Sequence, residues 1–249
     1  MKIDKFKVEE WFNKYEKDAV YDLADTCVEA LSIDELLEIT GDRESILSEI
    51  FSQKLNYGAI HGSNRLKRAI STMYTNQTPD NITITHGAIG ANHLVMLSIV
   101  EPKDKVVSIV PTYQQHYSIP KSFGADVEMF FLKEENDWLP NLDELEKVVG
   151  TDTKMICLNN PNNPTGAVIP DEMLYKIVEI AKKSNAYILC DEVYRGLNHE
   201  GNPFSVSIAD IYDKGISTSS MSKVFSLAGL RLGWIAADRN IIDIINHQR

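Results

Sequence analysis

A lysine and an arginine stand alone among the small and apolar residues of the stretch 218–234. The amine of Lys223 is partly desolvated in such surroundings, which favours the free base that attacks carbonyl groups. The hydroxyls of Ser220 and Ser222 and the guanidinium of Arg231 suit a phosphate group. Together they suggest a phosphorylated aldehyde cofactor, and pyridoxal 5′-phosphate (PLP) fits this description. A lysine that ends a buried strand beside a structural arginine explains the stretch equally well.

A second group of polar residues follows the apolar run 186–190. Asp191 comes directly after this run, and the phenol of Tyr194 follows three residues later. Since a carboxylate at this position is expected to be buried, it needs a cation or a hydrogen-bond donor as partner. A pyridinium N–H would serve, and so would a helix cap or a structural ion pair.

The stretch 159–166 contains four asparagines, two prolines and a glycine. Proline restricts the residue before it to an extended geometry, which projects the amide of an asparagine such as Asn163 away from the chain. A tight turn would need fewer residues of this kind. The composition therefore favours a functional role.

Two further turns could contribute to a ligand site. The residues Gly87, Ala88 and Ile89 open a helix after a strand, where free N–H groups can bind an anion, although an ordinary connection has the same sequence. Tyr113 follows another strand and could stack on a flat ring. A core tyrosine is an equally ordinary interpretation.

Alternation of strand and helix patterns after residue 57 predicts an α/β fold with a mostly parallel sheet covered by helices on both faces. Ligands in such sheets bind beyond the carboxyl ends of the strands, where all the candidates above lie. The segment through residue 52 has helical periodicity. The predicted strands are Ile82–Thr85, Val106–Val110, Val127–Leu132, Met155–Leu158, Tyr187–Cys190, Gly215–Thr218 and Leu232–Ala236.

Composition narrows the class of protein. The 249 residues carry a formal net charge of −11, which argues against nucleic acid as a partner. Three isolated cysteines, two of them in apolar runs, and six histidines without ligand spacing predict reduced thiols and no metal site. The start of the chain has no signal-peptide pattern, and no apolar run reaches the length of a membrane span. We therefore expect a cytoplasmic protein without membrane contact.

Taken together, these motifs resemble the PLP-dependent aminotransferases of class I/II, which have the fold-type I, aspartate aminotransferase-like architecture. The matching residues occur in the order found in the family and are spread over most of the chain after residue 57. They are Tyr57-Gly58, Gly87-Ala88-Ile89, Tyr113, Asn163-Pro164-Thr165-Gly166, Asp191 with Tyr194, and Ser220-Met221-Ser222-Lys223 with Arg231.

The resemblance implies a role for each residue. Lys223 would form a Schiff base with PLP and later move a proton between the substrate and the cofactor. Asp191 would keep the pyridine nitrogen protonated, while Asn163 and Tyr194 would bind the phenolic oxygen of the ring and Tyr113 would stack on its face. The resemblance implies that the phosphate is bound by Gly87, Ala88, Ile89, Ser220, Ser222 and Arg231. It also implies a homodimer with shared active sites, in which Tyr57 would bind the phosphate of the partner subunit.

The resemblance also implies the domain organisation and the reaction. Residues 1–52 would be a helical N-terminal segment belonging to the small domain or dimer arm, and 53–249 a PLP-binding large domain that is incomplete at its carboxyl end. No residue matches the arginine that binds the substrate carboxylate in the family, and Ala88 and Ile89 stand where relatives often have a hydroxyl. The implied reaction is transamination between an amino acid and a 2-oxo acid. A C–S β-lyase, a cyclase, a decarboxylase or a truncated, non-catalytic PLP-binding fragment are the alternatives.

Overall fold

The computed structural model describes residues 2–202 and 204–249, which form ten α-helices and one seven-stranded sheet. The strands are β1 Ile82–His86, β2 Lys105–Val110, β3 Asp126–Phe131, β4 Thr153–Asn159, β5 Tyr187–Asp191, β6 Gly215–Ser220 and β7 Leu232–Ala237. The helices are α1 Lys7–Tyr15, α2 Ile33–Thr40, α3 Arg43–Ser52, α4 Asn64–Ser71, α5 Gly87–Ile99, α6 Gln115–Ser122, α7 Leu142–Val148, α8 Asp171–Ser184, α9 Ile208–Ile211 and α10 Arg239–Asn246. Each predicted strand is present within two residues of its predicted ends.

The strand order β1-β7-β6-β5-β4-β2-β3 determines which strand ends meet. Strand β7 is antiparallel to both of its neighbours, and the other pairs are parallel. Because β1 and β6 are both antiparallel to β7, they run in the same direction as each other and as β2 to β5. The carboxyl ends of six strands and the amino end of β7 therefore lie along one edge of the sheet. This edge is where ligands bind in α/β proteins.

Helices cover both faces of the sheet, which confirms the predicted α/β/α architecture. On one face, Leu145 of α7 and Leu174 of α8 join a buried cluster with residues of β2 to β5. On the other, Val95 of α5, Ile119 of α6 and Ile241 of α10 pack against the opposite sides of the central strands. Strands buried on both faces read as continuous apolar runs in the sequence, which made them predictable.

The N-terminal segment is helical only in part. Helix α2 begins with the capping box of Ser32 and Glu35, in which each side chain binds the other residue's backbone N–H. Helix α1 buries none of its residues, and Trp11 is 50% exposed. Residues 19–32 have no regular secondary structure. No helix in the two described ranges is both long and apolar enough to cross a lipid bilayer.

A buried carboxylate fixes the loop that follows β5. Glu192 is 2% exposed and accepts hydrogen bonds from the hydroxyls of Ser207 and Ser217 and from the N–H of Ile208. Burial raises its pKa, while the guanidinium of Arg195, 3.9 Å away, and the three donors oppose this rise. The network ties the segment after β5 to α9 and β6, so that the residues next to Glu192 are held at the edge of the sheet.

Candidate active site

Register between strands brings the sequence-predicted residues to one place. Asn159 pairs with Asp191, and Asp191 pairs with Thr218, across the ends of β4, β5 and β6. Two positions further along β6, Ser220 pairs with Gly233 of β7. The loops that leave these strands must therefore share the space above the centre of the sheet.

Asp191 is buried at this centre, as predicted, and is 4% exposed. One carboxylate oxygen accepts a hydrogen bond of 2.8 Å from the amide of Asn92, and the other accepts one of 3.1 Å from the N–H of Val193. Nε2 of His116 lies 3.6 Å from the carboxylate. Thr218 donates in turn to the oxygen of Asn92 at 2.6 Å, which orients the amide. These contacts hold the carboxylate in one orientation, with a fully buried imidazole beside it.

Sequence reasoning missed both Asn92 and His116. A signal for Asn92 was available, because a lone asparagine in the apolar helix α5 must find a buried partner. For His116 the sequence contains a weaker signal. His116 lies four residues after Thr112, and its Nδ1 is 3.0 Å from the Thr112 hydroxyl. Only the strand order, however, places the His116 ring next to β5.

Three of the four asparagines between 159 and 163 make hydrogen bonds that organise this turn and join it to β5. Asn159 donates at 2.7 Å to the backbone carbonyl that ends β5. Asn160 accepts from the N–H of Ile169 at 2.9 Å, and Asn162 donates to the hydroxyl of Thr165 at 2.8 Å. The first bond joins the end of β4 to the end of β5, and the other two close the loop between β4 and α8. The local need for hydrogen bonds explains these three residues.

The fourth asparagine faces the candidate site. The amide of Asn163 donates to the phenolic oxygen of Tyr194 at 3.2 Å, and this hydroxyl donates to Thr26 at 3.2 Å. Burial raises the pKa of Tyr194, whereas the hydrogen bond to Thr26 and the charge of Lys223 act in the opposite direction. Asn163, Tyr194 and Lys223 therefore lie close together, although they come from three different loops.

The side chain of Lys223 is half-buried and directed at the N-terminal segment. Its Nζ lies 2.9 Å from the sulfur of Cys27 and 3.3 Å from the hydroxyl of Thr26. No pattern in the sequence indicated that residues almost two hundred positions upstream contact this lysine. Cys27 is exposed, whereas Cys157 and Cys190 are buried.

The turn before α5 forms a cradle with Arg231. Gly87 has a φ of +70°, and a Cβ placed on it would lie 2.7 Å from Nη2 of Arg231. No side chain caps the amino end of α5, so its first N–H groups remain available to an anion. Arg231 itself adopts a left-handed conformation, φ 51°, which is uncommon for a residue with a Cβ. Ser220 accepts a hydrogen bond from the N–H of Ser222 at the same edge.

The family model for aminotransferases of class I and II matches residues 33–249. This chain is a member of that family. The class I and II aminotransferases are PLP-dependent, and the predicted site residues all lie within the matched range. The site geometry also fits this cofactor, because the guanidinium of Arg231 lies against Gly87 at the uncapped amino end of α5, where a phosphate would meet both a cation and free N–H groups.

Relatives of this aminotransferase chain are found by both sequence and structure. It is 33% identical over 194 residues to an aspartate aminotransferase from Sulfolobus acidocaldarius, covering 75% of this chain and 48% of the relative. A capreomycidine synthase from Streptomyces vinaceus is 27% identical over 181 residues, covering 73% of this chain and 46% of the relative. The crystal structure of a PLP-dependent aminotransferase from Streptococcus suis superposes with a TM-score of 0.95 at 46% identity, covering 100% of this chain and 66% of that one. The chain thus spans about half the length of these two sequence relatives.

The close contact between Gly233 and the backbone of the turn before α5 gives a first testable prediction. A Cβ on Gly233 would lie 2.3 Å from the carbonyl carbon of Gly87 and 2.7 Å from the N–H nitrogen of Ala88, both of which are backbone atoms. We expect Gly233→Ala to displace the turn and to lower the free energy of unfolding by about 1–3 kcal/mol, the usual cost of overpacking. Urea unfolding and PLP titration measure the two effects. Gly229→Ala, where a Cβ meets nothing within 4 Å, is the control and should leave both unchanged.

The two remaining tyrosines differ in their surroundings. The ring of Tyr113 packs edge-to-face on Phe6 with centroids 5.0 Å apart, at the end of β2. Burial, followed by the charges of Glu9 and Asp191, raises the pKa of Tyr113 to about 12, against the opposing charge of Arg231. Tyr57, in contrast, is fully exposed and contacts none of the other site residues in this chain. Its predicted role toward a partner subunit stays a prediction.

A cavity of about 550 Å³ adjoins the site. Its walls come from the asparagine turn, from the loop after Tyr194 and from Thr26 of the N-terminal segment. The polar side chains of Asn163 and Tyr194 line the cavity, and so do the exposed residues His199 and Glu200. A small molecule in this cavity would lie close to the candidate nucleophile.

Proposed function

We propose that this chain is the PLP-binding part of an enzyme that transfers the amino group of an amino acid to a 2-oxo acid. The observation that carries the proposal is the convergence of Lys223, Asp191 and the Asn163–Tyr194 pair at one edge of the sheet. When bound, PLP supplies an electron-deficient ring that accepts the electrons of the substrate's α-carbon.

Different side chains would bind different parts of the PLP ring. Asp191, fixed by Asn92 and Val193, would accept a hydrogen bond from the ring nitrogen and keep its proton in place. The phenol of Tyr194 and the amide of Asn163 would bind the oxygen on the opposite side of the ring. The ring of Tyr113 would exclude water from one face.

The phosphate would lie at the amino end of α5. Gly87 allows the backbone to approach the anion closely, and the N–H groups of Ala88 and Ile89 would donate to its oxygens. The guanidinium of Arg231 would neutralise part of the charge. Ser220 and Ser222 are placed at the same edge of the sheet and would add hydroxyl donors.

The amine of Lys223 has two tasks in this proposal. It would hold PLP covalently, and as a free amine it would accept and return the proton of the substrate's α-carbon. Thr26 and Tyr194 lie within hydrogen-bond reach of this part of the site and would orient the amine.

We also propose that the functional unit is a homodimer in which Tyr57 reaches the phosphate of the partner subunit. Apolar side chains of the N-terminal third, among them Leu23, Leu55 and Tyr57, are almost fully exposed in the single chain, which is typical of surfaces that bind another protein. Sedimentation equilibrium of the PLP-loaded chain should give a dimer mass. A monomer at all concentrations would contradict this part of the proposal.

The decisive experiment on function follows the cofactor by absorption. The full chain is loaded with PLP, separated from free PLP, and mixed with an excess of aspartate or alanine. Transamination converts the cofactor to its amine form, and a 2-oxo acid then restores the original spectrum. Loading without any interconversion across a panel of amino acids would contradict transamination by this chain and favour the non-catalytic binding protein.

A second reaction class is supported by one comparison. The relative from Streptomyces vinaceus is named a capreomycidine synthase, and this name does not describe an amino-group transfer. The same electron sink serves elimination, cyclisation and decarboxylation, because the substrate bond held perpendicular to the ring is the one that breaks. Release of ammonia and pyruvate from a substrate with a leaving group, without restoration of the spectrum by 2-oxo acids, would favour a β-lyase.

A further inference from the structure

The N-terminal strap, residues 22–31, lies across the candidate active site. Its far end is fixed by a backbone hydrogen bond of 2.9 Å from Leu31 to Ser226, in the loop that carries the catalytic lysine candidate. Asp22 accepts from the N–H groups of Ala24 and Asp25, and Asp25 accepts from the N–H of Cys27 at 2.8 Å. These turns give the strap a defined course although it contains no helix or strand.

The strap places a thiol directly on the nucleophilic amine. The sulfur of Cys27 lies 2.9 Å from Nζ of Lys223, closer than any other polar atom that Nζ contacts. Asp25 is close enough to Lys223 for the two charges to interact. Burial raises the pKa of Asp25, but the hydrogen bonds from Cys27 and the charge of Lys223 lower it by more, so the net shift is downward. Thr26 links the strap to the phenol of Tyr194. The thiol of Cys27, the amine of Lys223, the carboxylate of Asp25 and the phenol of Tyr194 therefore lie close together. Each of them can exchange a proton or act as a nucleophile.

Cys27 is also the cysteine that reagents can reach. Burial raises the pKa of Cys157 and of Cys190, which keeps both thiols protonated and unreactive. Cys27 is exposed. An oxidant in solution would therefore react first with the thiol that contacts Lys223.

We propose that Cys27 and Lys223 are a modification site, at which a peroxide joins the two side chains through a reversible sulfur–nitrogen bond. In the first step the Cys27 sulfur attacks the peroxide. An S–O bond forms, the O–O bond breaks, the sulfur is oxidised by two electrons, and one water or alcohol leaves with the thiol proton. In the second step Nζ of Lys223 attacks the sulfenic acid. The N–S bond forms, the S–O bond breaks, and water leaves with one amine proton.

A thiol reductant reverses the modification. Its sulfur attacks the Cys27 sulfur, the S–N bond breaks, and Lys223 recovers its amine and a proton. A second thiol then releases Cys27 from the mixed disulfide. This inference rests on the proposed function for its consequence, since an amine held by sulfur cannot hold PLP. The chemistry of the bond itself needs only the contact between the two residues.

PLP and the sulfenic acid of Cys27 compete for the nitrogen of Lys223. A chain loaded with PLP has no free amine at Lys223, so its Cys27 should stop at the sulfenic acid or proceed to higher acids. A PLP-free chain should form the link. The peroxide would therefore lock the chain in a form that PLP cannot load, until a thiol reductant restores it.

Mass spectrometry of the full PLP-free chain tests the inference. After limited hydrogen peroxide, we expect a species lighter by two hydrogen atoms, and peptide mapping should find the peptide of Cys27 joined to the peptide of Lys223. Dithiothreitol should restore the original mass and separate the peptides. Cys27→Ser should not form the species, and Lys223→Arg should carry an added oxygen on Cys27 instead.

Two results would overturn the inference. One is oxidation of Cys27 directly to sulfinic or sulfonic acid without any linked peptide. The other is a loss of two hydrogens that maps to Cys27 and the backbone nitrogen of Val28. Since the readout is a mass, it also separates the two proposals. Formation of the link in a chain that never binds PLP would support the link and reject the proposed function.

Discussion

Replacing Lys223 with alanine is expected to abolish the absorption band of the lysine–PLP Schiff base completely. The other polar atoms around Nζ belong to Thr26 and Cys27, and neither side chain can form an imine. Because Lys223 is half-buried and bonded only to the exposed strap, we expect the free energy of unfolding to change by no more than about 0.5 kcal/mol. The measurement is a PLP titration followed by absorption, with urea unfolding of the same samples.

Two control variants sharpen this test. Lys223→Arg keeps a cation at the position but cannot form a Schiff base, so its band should also be absent. Lys214→Ala removes a half-buried lysine whose amine donates to the carbonyl of Asn185. This lysine precedes β6, at the end opposite the site. Its titration should match that of the unmodified chain. A band of normal strength in Lys223→Ala would mean that PLP attaches elsewhere.

Replacing Asp191 is expected to give the second largest effect. In Asp191→Ala the amide of Asn92 and the N–H of Val193 lose their acceptor, which costs about 1–3 kcal/mol of stability. The cofactor's ring nitrogen loses a charged partner as well. Since a hydrogen bond to a charged group contributes about 1.5–3 kcal/mol, the Kd for PLP should rise roughly 10- to 150-fold.

The variant Asp191→Asn separates these two effects. Its side chain has the shape of aspartate, and Asn92 can reverse its amide to keep the buried hydrogen bonds, so stability should lie closer to that of the unmodified chain than to Asp191→Ala. The charge is absent, so the Kd for PLP should still rise. Urea unfolding and PLP titration report on the two quantities. A Kd equal to that of the unmodified chain in Asp191→Asn would show that Asp191 has only a structural role.

The centre of the sheet could be predicted from the sequence because its strands are buried on both faces. Runs such as Tyr187–Cys190 are apolar throughout, and each is followed by polar residues. The predicted strands therefore gave the positions of Asp191 and the asparagine turn as strand ends. Their meeting at one edge follows from parallel pairing, which the alternation of strands and helices predicted.

Contacts that depend on strand order and on the paths of loops could not be predicted from the sequence. His116 and Asn92 reach Asp191 from two helices, and nothing in those helices marks the direction in which a side chain points. The close approach of Gly233 to Gly87 arises from the antiparallel pairing of β7 with β1.

The course of the strap around Cys27 could not be predicted from the sequence either. The strap has no periodicity, and hydrogen bonds to residues almost two hundred positions away determine its course. The asparagine turn combines both kinds of contact. Its unusual composition suggested function throughout, and in the structure Asn160 and Asn162 also make hydrogen bonds within the loop while Asn159 donates to the end of β5.

Reduction of the PLP-loaded chain with borohydride, followed by peptide mapping, identifies the residue that holds PLP. Borohydride makes the attachment between amine and cofactor permanent, so the modified residue can be found. We expect one phosphopyridoxyl group per chain, on Lys223, formed at PLP concentrations that leave the other lysines unmodified. A group on another lysine, or a scatter over several exposed lysines with Lys223 free, would contradict this expectation.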